Sequence, residues 1–489
     1  MRKKFVQIVS LALAAAALSM AAASAAWYDP VTEPTYSGLG GQMMRIGIYF
    51  GSSAKDSVEL RLVTGDGFEI GYYDDANDFV PLTSCASGAL TVQMDAFTGG
   101  ITVLDNSTGM AVYAYDGYSA ANLGIRPYSL TGEKTVVKCG YPYYGGIRFT
   151  LASGGGMNIV NMIPLDDYVA GVVPYEMSPS WPVEALKAQA VCARTYALTH
   201  INTAHQRNYG FDLCDTTCCQ AYKGVYSGSQ TAKVAEAVDG TSGVTMMYNG
   251  QYCDAVYSSS NGGGSESALN VWGKDIPYLQ GKEDPYEALV SIPNYNWSAS
   301  FTGAELQAKL IAAGYEKCGL ITEVHTALSA TGNVTALTFV DANQKSWTVY
   351  NTSGGGSKCR TLLSLRSIHY TVTSDGTSTD KPSSGGWTIN GSEPADFSAG
   401  MSVIDGNGNI SVVTDGCVIT ASGVEQLGST GSGTTTGAAG SVFMFKGAGW
   451  GHNVGMSQYG AYAMAQKGFT YDEIVEFYYP GVSVGEISK

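Results

Sequence analysis

The chain has 489 residues, with 27 Lys and Arg against 42 Asp and Glu, a formal charge of −15 at neutral pH. That acidity argues against nucleic acid as a partner and against adhesion to an anionic surface by charge alone. The length allows a large core and two or more structural units.

The N-terminus reads as an export signal. Arg2, Lys3 and Lys4 precede an apolar stretch from Phe5 to Met20, and Ala23-Ser24-Ala25 offers a small-residue cleavage site before Ala26 or Trp27. The expected product is secreted or wall-associated, with no membrane span once residues 1–26 are gone; an uncleaved N-terminal anchor is the alternative. Residues 27–144 read as a β-rich region. MRIGIYFG, SVELRLVTG and GITVLDN are short alternating or apolar runs broken by Gly, Asp and Asn, and no catalytic constellation stands out among them. Residues 145–162, GGIRFTLASGGGMNIVNM, read as a hairpin.

The run 163–198, IPLDDYVAGVVPYEMSPSWPVEALKAQAVCARTYAL, places one carboxylate, Glu176, in a proline-bounded turn between two helical segments. Pro164 can open the first helix where a missing N–H costs nothing, and Pro174 is expected to end it. Ser180 is the expected cap of the second helix, in which Leu186, Ala190, Ala193 and Ala197 form a buried stripe at offsets 4, 7 and 11. An acid between rigid elements can be held in a fixed pose with a raised pKa. Glu184, one turn into the second helix, competes for that role but is better suited to complementing the positive helix end.

Ten cysteines in an exported chain invite a disulfide reading. Most lie far apart, and only Cys214, Cys218 and Cys219 cluster. In AHQRNYGFDLCDTTCCQAY the metal candidates are His205, Cys214 and Cys219, donors that suit tetrahedral zinc. His200 is an alternative to His205, and a disulfide from Cys214 or free thiols is the alternative to a metal. Ser258 to Gly264 form a Ser/Asn/Gly loop suited to close backbone approach by a ligand. Further on, ELQAKLIAAG reads as a helix, and TGNVTALTFVDA and QKSWTVYN as strands. Residues 373–440 interrupt this pattern with Ser, Thr and Gly, around a hairpin pair in MSVIDGNGNISVVTDGCVITASG. Residues 441–489 carry GWGHNVGMSQYGA, whose glycines imply tight turns. The fold class expected is α+β: antiparallel strands with a few helices around a catalytic cleft, plus the N-terminal β-rich region.

Three blocks, 163–198, 252–286 (YCDAVYSSSNGGGSESALNVWGKDIPYLQGKEDPY) and 447–482 (GAGWGHNVGMSQYGAYAMAQKGFTYDEIVEFYYPGV), occur in the order that resembles the SpoIID/LytB family. These are the stage II sporulation protein D and amidase-enhancer proteins of bacterial walls. The resemblance covers residues from about 145 onward, as 145–372 and 441–489 on either side of the insertion. It implies a peptidoglycan lytic transglycosylase with Glu176 at the position of the family's catalytic acid. That enzyme would cut between N-acetylmuramic acid and N-acetylglucosamine and leave 1,6-anhydro ends. Residues expected to contact the glycan strand are Gln189, Arg194 and Tyr196 on the second helix, Ser258 and Ser259, and His452 and Gln458. Arg194 can equally be an ion pair holding helix to sheet. Some family members carry His/Cys/Cys zinc at the positions of His205, Cys214 and Cys219, which implies a structural or site-shaping zinc here. Asn453 departs from the pattern, since relatives commonly read GHGVGMSQ. The competing reading is a non-catalytic wall-binding modulator that enhances an N-acetylmuramoyl-L-alanine amidase.

Overall fold

The computed structural model describes residues 42–486, apart from short internal stretches and most of the connections between 375 and 441. The export signal read at 1–26 and most of both Ser/Thr/Gly linkers lie outside the described residues. The chain divides into two compact units, one of Met1–Ala255 with Thr470–Asp472 and Val482–Lys489, the other of Val256–Phe469 with Glu473–Gly481.

In the first unit, strand alternation underlies two large, mainly antiparallel sheets. Ser57–Leu62 (SVELRL) alternates exposed and buried residue by residue, as a strand with one wet face must. It lies in a six-stranded sheet, and a seven-stranded sheet carries the site. Within the latter, Met157–Pro164 is buried at every position and pairs antiparallel with both Met43–Tyr49 and Gly146–Leu151. The sequence division at residue 144 therefore falls inside one sheet, because hydrogen bonding to Met43–Tyr49 completes the hairpin.

The chain passes straight from that strand into helix α1 (Leu165–Glu176), with Pro164 at its N-cap and Asp166 and Asp167 in its first turn. The structure corrects two boundary readings here. The helix runs through Pro174 and ends on Glu176. A proline this close to the C-terminal end removes a ladder bond but leaves the upstream turns intact, and Met177 N–H closes the end on Val173 O at 2.9 Å. Helix α2 (Val183–Thr199) has Pro182, not Ser180, at its N-cap position and no side-chain cap bond; the Ser180 hydroxyl bonds that of Ser178. The expected stripe holds, with Leu186, Ala190, Ala193 and Ala197 all fully buried where α2 packs on α1.

The second unit is built on a three-stranded sheet, Asn296–Thr302, Val442–Ala448 and Tyr370–Ser374 in that order, and a four-stranded sheet. The strand after the insertion thus enters between the two strands that precede it. Phe339, Tyr370, Phe443 and Phe445 are fully buried or nearly so in its core. ELQAKLIAAG falls in the helix Gly303–Ala312, opened by a capping box in which Thr302 and Glu305 satisfy each other's backbone N–H. The insertion forms the expected two hairpins, Met401–Ile404 with Ile410–Val413 and Gly416–Thr420 with Gly423–Leu427. It also adds the strand Gly433–Thr436 to Ile321–Leu328. The architecture is α+β.

Candidate functional site

Glu176 is half-buried at the last position of α1. The backbone N–H of Ala221 donates to its Oε1 at 2.6 Å. Ala221 belongs to a loop tied down at both ends. Upstream, Leu213–Cys214 pairs in parallel with Met43–Tyr49. Downstream, the fully buried Gln220 donates its amide to Tyr168 Oη (3.2 Å) on α1 and to the Ala193 carbonyl (3.3 Å) on α2. The acid is thus positioned by its own helix and by a loop anchored to that helix.

The same loop carries the cysteine cluster. Cys214 Sγ lies 3.5 Å from Cys219 Sγ, and Cys218 Sγ lies 3.7 Å from Nε2 of His205 on the short helix α3 (Ala204–Tyr209). All four donor atoms fall within 4.8 Å of one another. A tetrahedral ion with bonds of about 2.3 Å to sulfur holds its sulfurs about 3.8 Å apart, so these spacings fit one zinc. Cys218, ranked below Cys219 by the sequence, joins the set as a fourth donor. The nine cysteines with described side chains are free thiols, which removes the disulfide alternative at Cys214. Donation from Cys219 holds the Cys214 thiol down to about 5, against the opposing effect of burial. His200 is outside the cluster: its Nδ1 bonds the Tyr196 carbonyl at 2.8 Å, and its ring stacks on Tyr196 at 3.8 Å.

Two expected glycan contacts are corrected. Gln189 and Arg194 have no exposed surface. Arg194 Nε donates to Asp166 Oδ1 of α1 at 2.7 Å, and its NH1 donates to the Val244 carbonyl at 3.2 Å. It therefore ties α2 to α1 and to the strand Val244–Tyr248. Burial lowers the Arg194 pKa against the opposing pull of Asp166. Tyr196 keeps partial exposure. Glu184 pairs with Lys187 at 2.8 Å and accepts from Tyr471 N–H at 2.8 Å.

In the second unit the signature residues converge on two buried carboxylates to which sequence patterning assigned no role. Glu287, 1% exposed, accepts from Ser260 Oγ (2.8 Å), Asn261 N (2.7 Å), Gly262 N (3.0 Å) and Ser457 Oγ. Asp284, 3% exposed, accepts from Asn261 Nδ2 (2.8 Å), Tyr286 N (3.0 Å) and Tyr478 Oη (2.6 Å). Much of the donor set of the Ser/Asn/Gly loop therefore faces inward onto protein carboxylates. Ser258 is 8% exposed, and Gln458 6% at the start of the helix Gln458–Gln466; Ser259 accepts from Tyr459 N–H through its carbonyl. The Nδ1 of His452 accepts from Val454 N–H at 3.1 Å. Burial, reinforced by Arg360, brings its pKa down to about 4 while a bond to the Tyr257 backbone opposes the shift. The imidazole is thus neutral near pH 7. Asn453 sits at φ +64°, the left-handed region that Gly and Asn enter most readily, so Asn suits a position where the resemblance led to an expectation of Gly. Its side-chain amide donates to the Asn261 carbonyl and to Asn333 Oδ1.

Comparison with known proteins bears on the whole of this arrangement. The family model for stage II sporulation protein, SpoIID, matches residues 153–248, the stretch that carries α1, α2 and the cysteine loop. Stage II sporulation protein D of Bacillus subtilis (strain 168) is 30% identical over 339 residues, covering 67% of this chain and 76% of that protein. The amidase enhancer of the same organism is 30% identical over 369 residues, 74% of this chain but 47% of the relative, so the chain spans about half of its length. An uncharacterized protein of Brachyspira hyodysenteriae is 30% identical over 394 residues, 80% of this chain and 85% of its own. With Glu176 and the cysteine loop inside the matched stretch, the chain belongs to the stage II sporulation protein D family.

Proposed function

We propose that this chain is an exported peptidoglycan lytic transglycosylase that acts at the wall, with Glu176 as its general acid and base. The observation that carries the reading is the placement of Glu176: half-buried, ending a helix, one oxygen fixed by the Ala221 N–H, within the family-matched stretch. Hydrolysis of a glycosidic bond ordinarily takes two carboxylates, whereas an internal displacement takes one. Glu176 gives its proton to the oxygen leaving C1 of N-acetylmuramic acid, and the C1–O bond to N-acetylglucosamine breaks. It then accepts the proton of the C6 hydroxyl as that oxygen bonds C1, closing a 1,6-anhydro ring. The proton returns to Glu176 and no water is consumed, so a single group serves both half-steps.

His205, Cys214, Cys218 and Cys219 would hold zinc. When bound, the ion supplies a fixed cross-link rather than an open coordination position, since four protein donors close a tetrahedral site. Cys219 lies two residues before the Ala221 N–H that bonds Glu176, so the loop that gathers the thiols also presents the acid's partner.

The second reading, a wall-binding partner of an amidase, rests on the similarity to the amidase enhancer. Mass analysis of peptidoglycan digested by the mature protein and by Glu176→Gln separates the two. Anhydro ends made by wild type alone support the transglycosylase. Stimulation of an amidase retained in Glu176→Gln, with no cleavage by either protein, selects the modulator.

A further inference from the structure

The loop whose Ala221 N–H bonds Glu176 is held at both ends by one hairpin of the N-terminal β-rich region. That hairpin, Thr135–Lys138 with Tyr141–Tyr143, forms the edge of the six-stranded sheet. At the upstream end, the Lys138 ammonium donates to Asp215 Oδ2 at 2.7 Å and to the Ile48 carbonyl at 2.9 Å. It also lies 5.0 Å from the ring centre of Tyr49. The Asp215 side chain is only 6% exposed, so loss of the ammonium would leave a buried charge unpaired.

At the downstream end, the Val225 N–H donates to the Pro142 carbonyl at 2.7 Å. Gly224 sits at φ +71°, and a Cβ there would collide with that same carbonyl. Glycine is therefore what lets the two backbones meet. Between these ends, the Tyr222 ring packs on Tyr143 of the hairpin, with centroids 5.9 Å apart. A segment pinned twice has few conformations left to it, and Ala221 lies between the pins. The hairpin precedes the family-matched residues 153–248, in a region where the sequence shows no catalytic constellation.

We propose that this hairpin braces the loop of the acid, with Lys138 as a positioning residue. Lys138 acts through Asp215 on the loop, and the loop acts through the Ala221 N–H on Glu176. The consequence for turnover rests on the transglycosylase reading above; the bracing does not.

The test compares wild type, Lys138→Met and Lys138→Arg in the full mature chain, by amide hydrogen exchange and by the kinetics of anhydro-end formation. Lys138→Met should speed exchange in peptides covering 213–226 and leave the second unit unchanged. Its kcat should fall about tenfold or more while KM stays within about twofold, as a misplaced catalytic group requires. Lys138→Arg keeps a cation on Asp215 and should restore most of both. Where Lys138→Met costs the fold, adding Asp215→Asn removes the unpaired charge, and the double variant should show the same loop exchange. A lysine that serves only general stability would lower the melting temperature and leave loop exchange and kcat, measured well below it, as in wild type. That result overturns the proposal. Faster loop exchange in Lys138→Met, with no anhydro ends from wild type, retires the transglycosylase and supports the brace. Anhydro ends from wild type, with exchange and kcat unmoved by Lys138→Met, do the reverse.

Discussion

The two units treat their carboxylates in opposite ways. In the second, Glu287 and Asp284 are sealed from solvent, each with at least three donors, and knit the SSSNGGG, EDPY and GMSQYG segments together. In the first, Glu176 stays half-buried on a helix end, with a backbone N–H fixing one oxygen. A carboxylate saturated with buried donors is a scaffold, because removing its charge would strand every donor. A carboxylate at a helix end with accessible surface can reach a substrate. The motif that looks richest in glycan-binding groups is therefore the structural one, and the acid is the better candidate for chemistry.

Four groups of measurements break or sharpen this contrast. The largest effect is on activity: Glu176→Gln should lower the rate of anhydro-end formation by at least about 100-fold, the usual share of a general acid and base, with an unchanged melting temperature. A large loss of stability instead would put Glu176 in the scaffold class. Glu287→Ala should do the reverse. It leaves the donors of Ser260, Asn261, Gly262 and Ser457 without their acceptor, a cost of about 3 kcal/mol or more in denaturant unfolding. Stability within about 0.5 kcal/mol of wild type would contradict the scaffold role.

Next comes the cysteine cluster. Elemental analysis should find one zinc per chain, and chelation should lower the first unit's stability by about 2.7 kcal/mol if the free metal stands at a hundredfold of its dissociation constant. Cys218→Ser should weaken zinc retention; retention equal to wild type would return the site to three protein donors. The smallest effect is on pH. The folded-state pKa of His452, near 4, lies below the ordinary value of 6.5, so its contribution is present above 6.5 and lost as pH falls toward 4. Burial shifts His369 in the same direction. Urea midpoints should decline progressively from pH 7 to pH 4, and His452→Gln should flatten the decline.

Much of the fold was legible because it rests on periodicity. The α2 stripe, the alternation of Ser57–Leu62, the Thr302–Glu305 capping box and the two insertion hairpins all follow from local pattern. Element ends were less legible, since a proline in the last turn of α1 costs little and its position alone does not mark the boundary. Arg194 carried a signal that its residue type masked. It lies four residues after Ala190, within the buried stripe, so helical spacing alone assigns it inward. Asp166, 28 residues away, is what allows the guanidinium to be buried. The Ala221 N–H has no sequence signature, because any residue there presents the same donor. Cys218 was visible as a thiol, but only the fold of the loop brings it within reach of His205.

The central claim is that Glu176 serves an internal displacement rather than hydrolysis. The most direct measurement is digestion of purified glycan strands by the mature protein in ¹⁸O-labelled water, with mass analysis of the new ends. The account predicts 1,6-anhydro ends with no label, and none of them from Glu176→Gln. Labelled reducing ends would contradict it, because they require water as the nucleophile and a second carboxylate to activate it.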